Sequence, residues 1–309
     1  MSDVLEVSKR IFVYTEIICN TVYYWCVSKW RKYIVVNAFL DYYCGRFKHS
    51  NFGDDLNYYL IKELSGKYVI CYNNLFLRKL GFYIHNISCI GSIVDLIPNS
   101  GTIIWGTGAM WGNQPLKMKP YKVLAVRGPL TRRYLLQQGV ECPEVYGDPA
   151  LLLPYLYKPT RQVKYTIGII PHYADLDNKF VVDLIKQGKD KVLLIDLVHY
   201  TDWHGIVDAI NSCDFIVSSS LHGIIVADAY GVPNVWVEFS DEVFGDGFKF
   251  RDYFASVNRN VVSPVSMSES INIDVLLKYK QIWKPIRIDL NGLINTCPFL
   301  NSYETFLQK

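Results

Sequence analysis

The sequence lacks the short motifs that most directly announce a cofactor or a compartment. Its eight cysteines include no Cys-x-x-Cys pair and are scattered, most of them inside apolar runs. Cysteine used in this way is a small hydrophobe, which argues against a disulfide scaffold and for a reducing, cytoplasmic setting. There is no long basic block, and 32 Lys and Arg against 29 Asp and Glu leave a formal charge of +3. Nucleic acid is therefore not an expected partner. Neither a Gly-x-Gly-x-x-Gly fingerprint nor a phosphate loop ending in Gly-Lys-Ser/Thr is present, so the two commonest nucleotide signatures are missing. No cleavable leader and no clean membrane span are visible. What is present is a hydrophobic half of the composition over 309 residues, enough for the cores of two ordinary domains.

The amino-terminal region comes nearest to a membrane signal. Between Ile11 and Val27 the only formal charge is Glu16, and Lys9, Arg10, Lys29, Arg31 and Lys32 bracket the stretch. On a helix, Ile11, Tyr14, Ile18, Val22 and Trp25 form one face, while Glu16 and Asn20 fall on another. The expectation is an amphipathic helical extension over 1–32 whose apolar stripe packs on the first domain. The alternative is peripheral contact with the inner face of a membrane.

The rest of the chain alternates strand and helix. Tyr33 to Phe39, Tyr68 to Tyr72, Ile87 to Ile90, Thr102 to Trp105 and Val123 to Val126 read as strands of a first domain, 33–156. A Pro-flanked stretch near Tyr157 to Arg161 reads as a linker. Thr166 to Ile170, Val192 to Leu197, Asp214 to Val217 and Asn234 to Glu238 restart the pattern in a second domain, 162–309, with a helical run from Val275 to Trp283 in its tail. Such alternation on both sides of a linker predicts an α/β protein of two parallel-sheet domains facing each other across a cleft.

In that architecture ligands bind where loops leave the carboxyl ends of strands. The stretch Ser218-Ser219-Ser220-Leu221-His222-Gly223 lies at such a point, between a strand and a helix. His222 there is placed to bind an anion, to exchange protons or to pack in the helix's first turn. Other loops carry weaker signals. Asn51, Gly53 and Asp54 precede a helical pattern and suit either capping or contact with a sugar hydroxyl. Gly106, Gly108 and Gly112 follow a strand in a loop whose amides suit a ligand. Arg127 ends another strand, with a fork suited to carboxylate or phosphate, or to pairing with Asp148. His172 ends a further strand, and Lys249 and Arg251 sit among turn residues and aromatics near the expected cleft.

Taken together and in order, Asn51 to Asn57 (NFGDDLN), Trp105 to Gly108 (WGTG), Val126 to Thr131 (VRGPLT), Gly147 to Ala150 (GDPA) and Ser218 to Gly223 (SSSLHG) resemble the polysaccharide pyruvyl transferase family, in its branch of exopolysaccharide ketal-pyruvate transferases. The resemblance covers roughly 33–260. It implies two Rossmann-like domains similar to a glycosyltransferase of the B type, with phosphoenolpyruvate as donor and no metal or other cofactor. It further implies a sugar acceptor, carried on a lipid-linked repeat unit, and a cyclic pyruvate ketal as product. By the resemblance His222 matches a general acid or base, and Arg127 matches a clamp for the donor's anionic groups. Ser218, Ser219, Ser220 and Gly223 would cradle the donor. Asn51, Gly53, Asp54, Gly106, Gly108 and Asp148 would line the opposite, acceptor wall. Many members carry arginine where this chain has Ser220, so the missing cation is expected from Lys249, Arg251 or His172. The rival readings are a nucleotide-sugar glycosyltransferase of the same fold and a non-catalytic sugar-binding subunit of an assembly complex.

Overall fold

A computed structural model describes residues 2–43, 46–75, 84–269 and 271–300. Its core is two five-stranded sheets, each wholly parallel. The first contains β1 (Tyr33–Val36), β4 (Tyr68–Cys71), β5 (Asn86–Ser88), β6 (Thr102–Trp105) and β7 (Lys122–Ala125), in the order β4-β1-β5-β6-β7. The second contains β8 (Tyr165–Ile170), β9 (Val192–Leu194), β10 (Cys213–Ser218), β11 (Asn234–Glu238) and β12 (Val265–Ser266), in the order β12-β11-β10-β8-β9. Counted along its own strands each sheet has the order 2-1-3-4-5, so each has a point where the connections change direction. In the first sheet that point lies between β1 and β5; in the second it lies between β8 and β10. The strands are apolar and β-branched because parallel sheets are covered on both faces. Val36, Val69, Ile167, Ile169, Ile216 and Val217 are all buried.

Several elements were not expected from the sequence, the edge strand β12 among them. A short antiparallel hairpin, β2 (Asp41–Tyr43) with β3 (Arg46–Lys48), follows β1. The stretch from Phe248 to Ser256 is a helix, and its inward face carries the buried charges Lys249 and Asp252.

The two sheets are joined through their carboxyl-terminal loops. The backbone N–H of Phe52, just after the first of these loops, donates to the carbonyl of Leu197 beyond β9 at 2.8 Å. One apolar cluster runs through both halves, from Val36, Leu56 and Trp105 to Ile170, Ile224 and Phe254. The tail contributes to both. The Ile273–Ile282 helix buries Leu276 against the second sheet and pairs Lys280 with Asp214. Further on, Leu293 and Phe299 return to the first, where the Trp105 indole donates to the Leu293 carbonyl at 2.9 Å.

The amino-terminal helix, Ser2–Ser28, corrects the expected orientation. Among its described side chains Tyr24 and Asn20 are the buried ones, and Tyr24 plugs a cluster with Val35, Ile70 and Tyr72. Seating that one aromatic turns Tyr14, Ile18, Val22 and Trp25 outward, and Val22 is 56% exposed. The apolar stripe thus faces away from the first sheet; the side chain of Ile11 lies outside the described residues. Among the described residues no helix is long and apolar enough to cross a membrane.

The Trp105–Leu293 bond fastens the tail. Trp105→Phe removes the donor and is expected to cost about 1–3 kcal/mol, read as a lower urea midpoint. An unchanged midpoint would show that the tail is held by other contacts.

Candidate active site

The direction-changing points of the two sheets bring the sequence motifs together. At the second, β8 delivers His172 and β10 delivers the serine loop and His222. At the first, the loop before Phe52 delivers Asn51 to Asp54. His222, in the first turn of the Leu221–Ala229 helix, crosses the seam between the halves. A Cβ built on Gly53 would lie 2.0 Å from its Nδ1, so the close approach of ring and backbone requires glycine at that position. On its other side, Nε2 lies 3.9 Å from Oδ2 of Asp148. Both atoms are buried, and neither has a hydrogen-bond partner among the described residues. A gap of that length is too long for a direct bond. An oxygen placed off the line at about 2.8 Å from each would satisfy both. The other Asp148 oxygen is fixed by the Ala150 N–H at 3.0 Å, at the start of a short 3₁₀ turn.

A group of charges surrounds this pair. Lys249 is 8% exposed. Burial, with Arg127 nearby, pushes its pKa down to about 8, while Asp54 opposes that shift. Asp54 is pushed up to about 7 by burial and by its neighbour Asp55, against the pull of Lys249. Burial raises Asp148 to about 6. His222, with a side chain only 13% exposed, is pushed down to about 3 by burial and by Arg127 and Lys249. His172 is lowered to about 4 by burial and by Lys249. Both imidazoles are thus held in the neutral form beside a lysine that stays cationic near neutral pH, an environment that favours an incoming anion.

Of the three cations expected to make up for Ser220, Lys249 and His172 belong to this group. Arg251 instead donates to the carbonyl of Asp246 at 2.6 Å, in the turn before its helix.

The remaining predicted residues have internal partners. Arg127 is fully buried: Nε donates to Asp252 at 3.1 Å, Nη1 to Ser92 at 2.7 Å and Nη2 to the Ala109 carbonyl at 2.9 Å. Its ion-pair partner is thus Asp252 rather than Asp148, and Asp252 also accepts from the N–H and hydroxyl of Thr131. Gly108 packs on the guanidinium, where a Cβ would meet Cζ at 2.2 Å, and Gly106 lies against Pro149. The amides of Gly106 and Gly108 bond to Ala125 and Gly91 carbonyls, so they do not face a ligand as the loop's composition suggested.

Asn51 is a helix cap that accepts from Gly53 N–H, and Asp55 accepts from Ser50 and Tyr200. Of the two aspartates in that motif, Asp54 is the one turned to the charged group. Ser218 bonds the Ile170 and Ser220 carbonyls, with Gly223 packed against its hydroxyl. Ser219 donates to Asp175 and accepts from the His172 N–H. Ser220 holds the cap position of the His222 helix without a side-chain cap bond. Sequence reasoning did not find Asp252, Ser92 or Asp175. Each is bonded to a residue far along the chain, and such pairing leaves no local pattern.

Comparison with known proteins places this arrangement in a class. A family profile described as polysaccharide pyruvyl transferase matches residues 51–241, and the chain belongs to that family. It is a transferase by that membership. Among its relatives, an uncharacterized protein, L143, of Acanthamoeba polyphaga mimivirus is 33% identical over 230 residues, covering 73% of this chain and 75% of the other. The succinoglycan biosynthesis protein ExoV of Rhizobium meliloti (strain 1021) is 27% identical over 246 residues, covering 76% and 70%. The second supports placing the chain in the exopolysaccharide branch.

The electrostatics give a direct check. In the ligand-free protein the His222 ring is expected to remain neutral throughout pH 5–8, with no midpoint in its imidazole proton NMR shifts, assigned by loss of the signal in His222→Gln. A midpoint near 6.5 would mean that the ring is solvated and free of the two cations.

Proposed function

We propose that the protein transfers a pyruvyl group from phosphoenolpyruvate to two hydroxyls of a sugar in a polysaccharide repeat unit, forming a cyclic ketal and releasing phosphate. The observation that carries this reading is the pair of unpartnered atoms, His222 Nε2 and Asp148 Oδ2, 3.9 Å apart beside a buried lysine. A sugar hydroxyl bonded between them has a base at hand, and an anionic donor has a cation.

In this mechanism the donor's carboxylate and phosphate lie near Lys249 and His172, within the positive potential that Arg127 maintains from below. Protonation of the methylene makes the central carbon electrophilic. The first hydroxyl adds to that carbon, phosphate leaves, and the second hydroxyl closes the ring. Of the two hydroxyl protons lost, one balances the new methyl group and the other leaves with phosphate. His222 relays them, its imidazolium form stabilised by Asp148 and by the donor's own negative charge. Phosphoenolpyruvate serves as co-substrate, and the scheme calls for no further cofactor.

The acceptor is proposed to be lipid-linked. Support comes from the exposed Ile18 and Val22 on the amino-terminal helix, followed by Lys29, Trp30, Arg31 and Lys32, with Trp30 87% exposed. That combination suits peripheral contact with an anionic bilayer surface.

Three measurements test the reading. Acceptor-dependent phosphate release from phosphoenolpyruvate should fall at least a hundredfold in His222→Ala. Thermal stabilisation by a nucleotide sugar but not by phosphoenolpyruvate would instead support glycosyl transfer. The third measurement concerns pH. Above about pH 7 Asp54 becomes anionic, and above about 8 Lys249 loses its charge. Both changes weaken anion binding, so KM for phosphoenolpyruvate should rise from pH 6 to pH 8.5. Asp54→Asn should flatten the lower part of that rise. An identical profile in the variant would remove Asp54 from donor binding.

A further inference from the structure

A hollow of about 700 Å³ opens at the direction-changing point of the first sheet, lined among others by Asn37, Phe39, Asp41, Asn73 and Asp95. Its walls are the segment leaving β1, from Asn37 to Asp41, and the segment beyond β5, from Ile93 to Pro98. In parallel α/β sheets this is where the fold leaves a crevice for a ligand, because adjacent connections depart to opposite faces. The corresponding point of the second sheet holds His172 and His222. The volume falls within the range of small-molecule sites, about 300–1,000 Å³.

The lining chemistry suits a sugar better than the donor. Its charged side chains are Asp41, Asp95 and one cation, Lys117; Asp41 pairs with Lys48 at 3.5 Å and Asp95 Oδ2 accepts from the Met110 N–H at 2.7 Å, so carboxylates outnumber the cation on the lining. The carboxamides of Asn37 and Asn73 donate to Ser88 Oγ and the Ala38 carbonyl, at 3.0 and 2.8 Å, which leaves their carbonyl oxygens as acceptors. Planar carboxylates and carboxamides beside an aromatic ring match a pyranose, whose hydroxyls donate around its rim while its C–H face lies on the ring. Phe39 supplies that ring and is 55% exposed. One short segment links the hollow to the reaction centre. Ser50 lines it, the next residue Asn51 caps the following helix, and Gly53 in that helix touches His222.

We infer that this hollow, floored by Asn37 and Asn73 and edged by Phe39 and Asp41, binds an uncharged sugar unit of the acceptor next to the one that receives the pyruvyl group. The inference rests on the pyruvyl-transfer reading for what the sugar is used for, but saccharide binding itself can be measured without turnover.

The test compares wild type with Phe39→Ala and Asp41→Asn, two changes at exposed positions. Saturation-transfer NMR is recorded with lactose, methyl β-glucopyranoside and a methyl glycoside of N-acetylmannosamine, alongside phosphate release from phosphoenolpyruvate. The expected result is a saccharide signal in wild type that is lost in Phe39→Ala. KM for the acceptor should rise about tenfold in that variant, with KM for phosphoenolpyruvate unmoved. An acceptor KM unchanged in both variants, or no saccharide signal in a wild type that phosphoenolpyruvate stabilises, would overturn the subsite and leave pyruvyl transfer standing. Saccharide binding lost in Phe39→Ala, in a protein that never releases phosphate, would uphold the subsite and overturn the pyruvyl-transfer reading.

Discussion

The contact on which the site depends is the buried pair of Arg127 and Asp252. Arg127 follows the last strand of the first sheet, and Asp252 sits on a helix that belongs to the second half of the chain. Neither side chain touches solvent. Removing one partner would strand the other charge at a cost of about 3–5 kcal/mol, so the pair ties the halves in one arrangement. Its hydrogen bonds are completed by Ser92, Ala109 and Thr131, all from the first half. The helix carrying Asp252 also carries Lys249 three residues earlier, on the same face. Fixing Asp252 therefore fixes the cation beside His222 and Asp54.

That arrangement explains why the titrations diverge. Arg127 and Lys249 place positive potential in a space from which water is largely excluded, and only carboxylates oppose it. Burial together with that potential makes the histidines lose their protons, whereas Asp54 keeps its own until about neutral pH because burial and its neighbour Asp55 outweigh the pull of Lys249. In the proposed reaction an anionic donor would supply the missing negative charge and make His222 a better base, and the pull toward it would come from cations already in place.

The alternation of apolar strands and helices was legible because buried parallel strands such as Ile34 to Val36 or Phe215 to Val217 leave unbroken β-branched runs. The motifs were legible because glycine and proline punctuate them. The helix over Phe248 to Ser256 was not, since two of its inward residues, Lys249 and Asp252, carry charge and read as solvated surface. The amino-terminal helix was recognised, but its rotation was not. Its apolar stripe is wider than the face that packs, and the side carrying Tyr24 and Asn20 is the one that is buried. The partnership of Asp148 with His222 joins residues 74 positions apart, and that of Arg127 with Asp252 spans 125. Such pairs are fixed by how two sheets meet, which no local pattern records. Gly53 shows the same limit. As sequence it suggested backbone open to a ligand, whereas in the fold it makes room for an imidazole.

The most direct test of the account is turnover in Gly53→Ala. Alanine favours a helix over glycine by about 0.5–1 kcal/mol, so the helix itself should not suffer. The new methyl would nevertheless stand 2.0 Å from His222 Nδ1 and must displace the ring from Asp148. The account predicts a folded protein with a near-wild-type melting temperature and acceptor-dependent phosphate release from phosphoenolpyruvate reduced at least tenfold. Wild-type release from the folded variant would show that the chemistry does not depend on His222 being seated where the structure holds it.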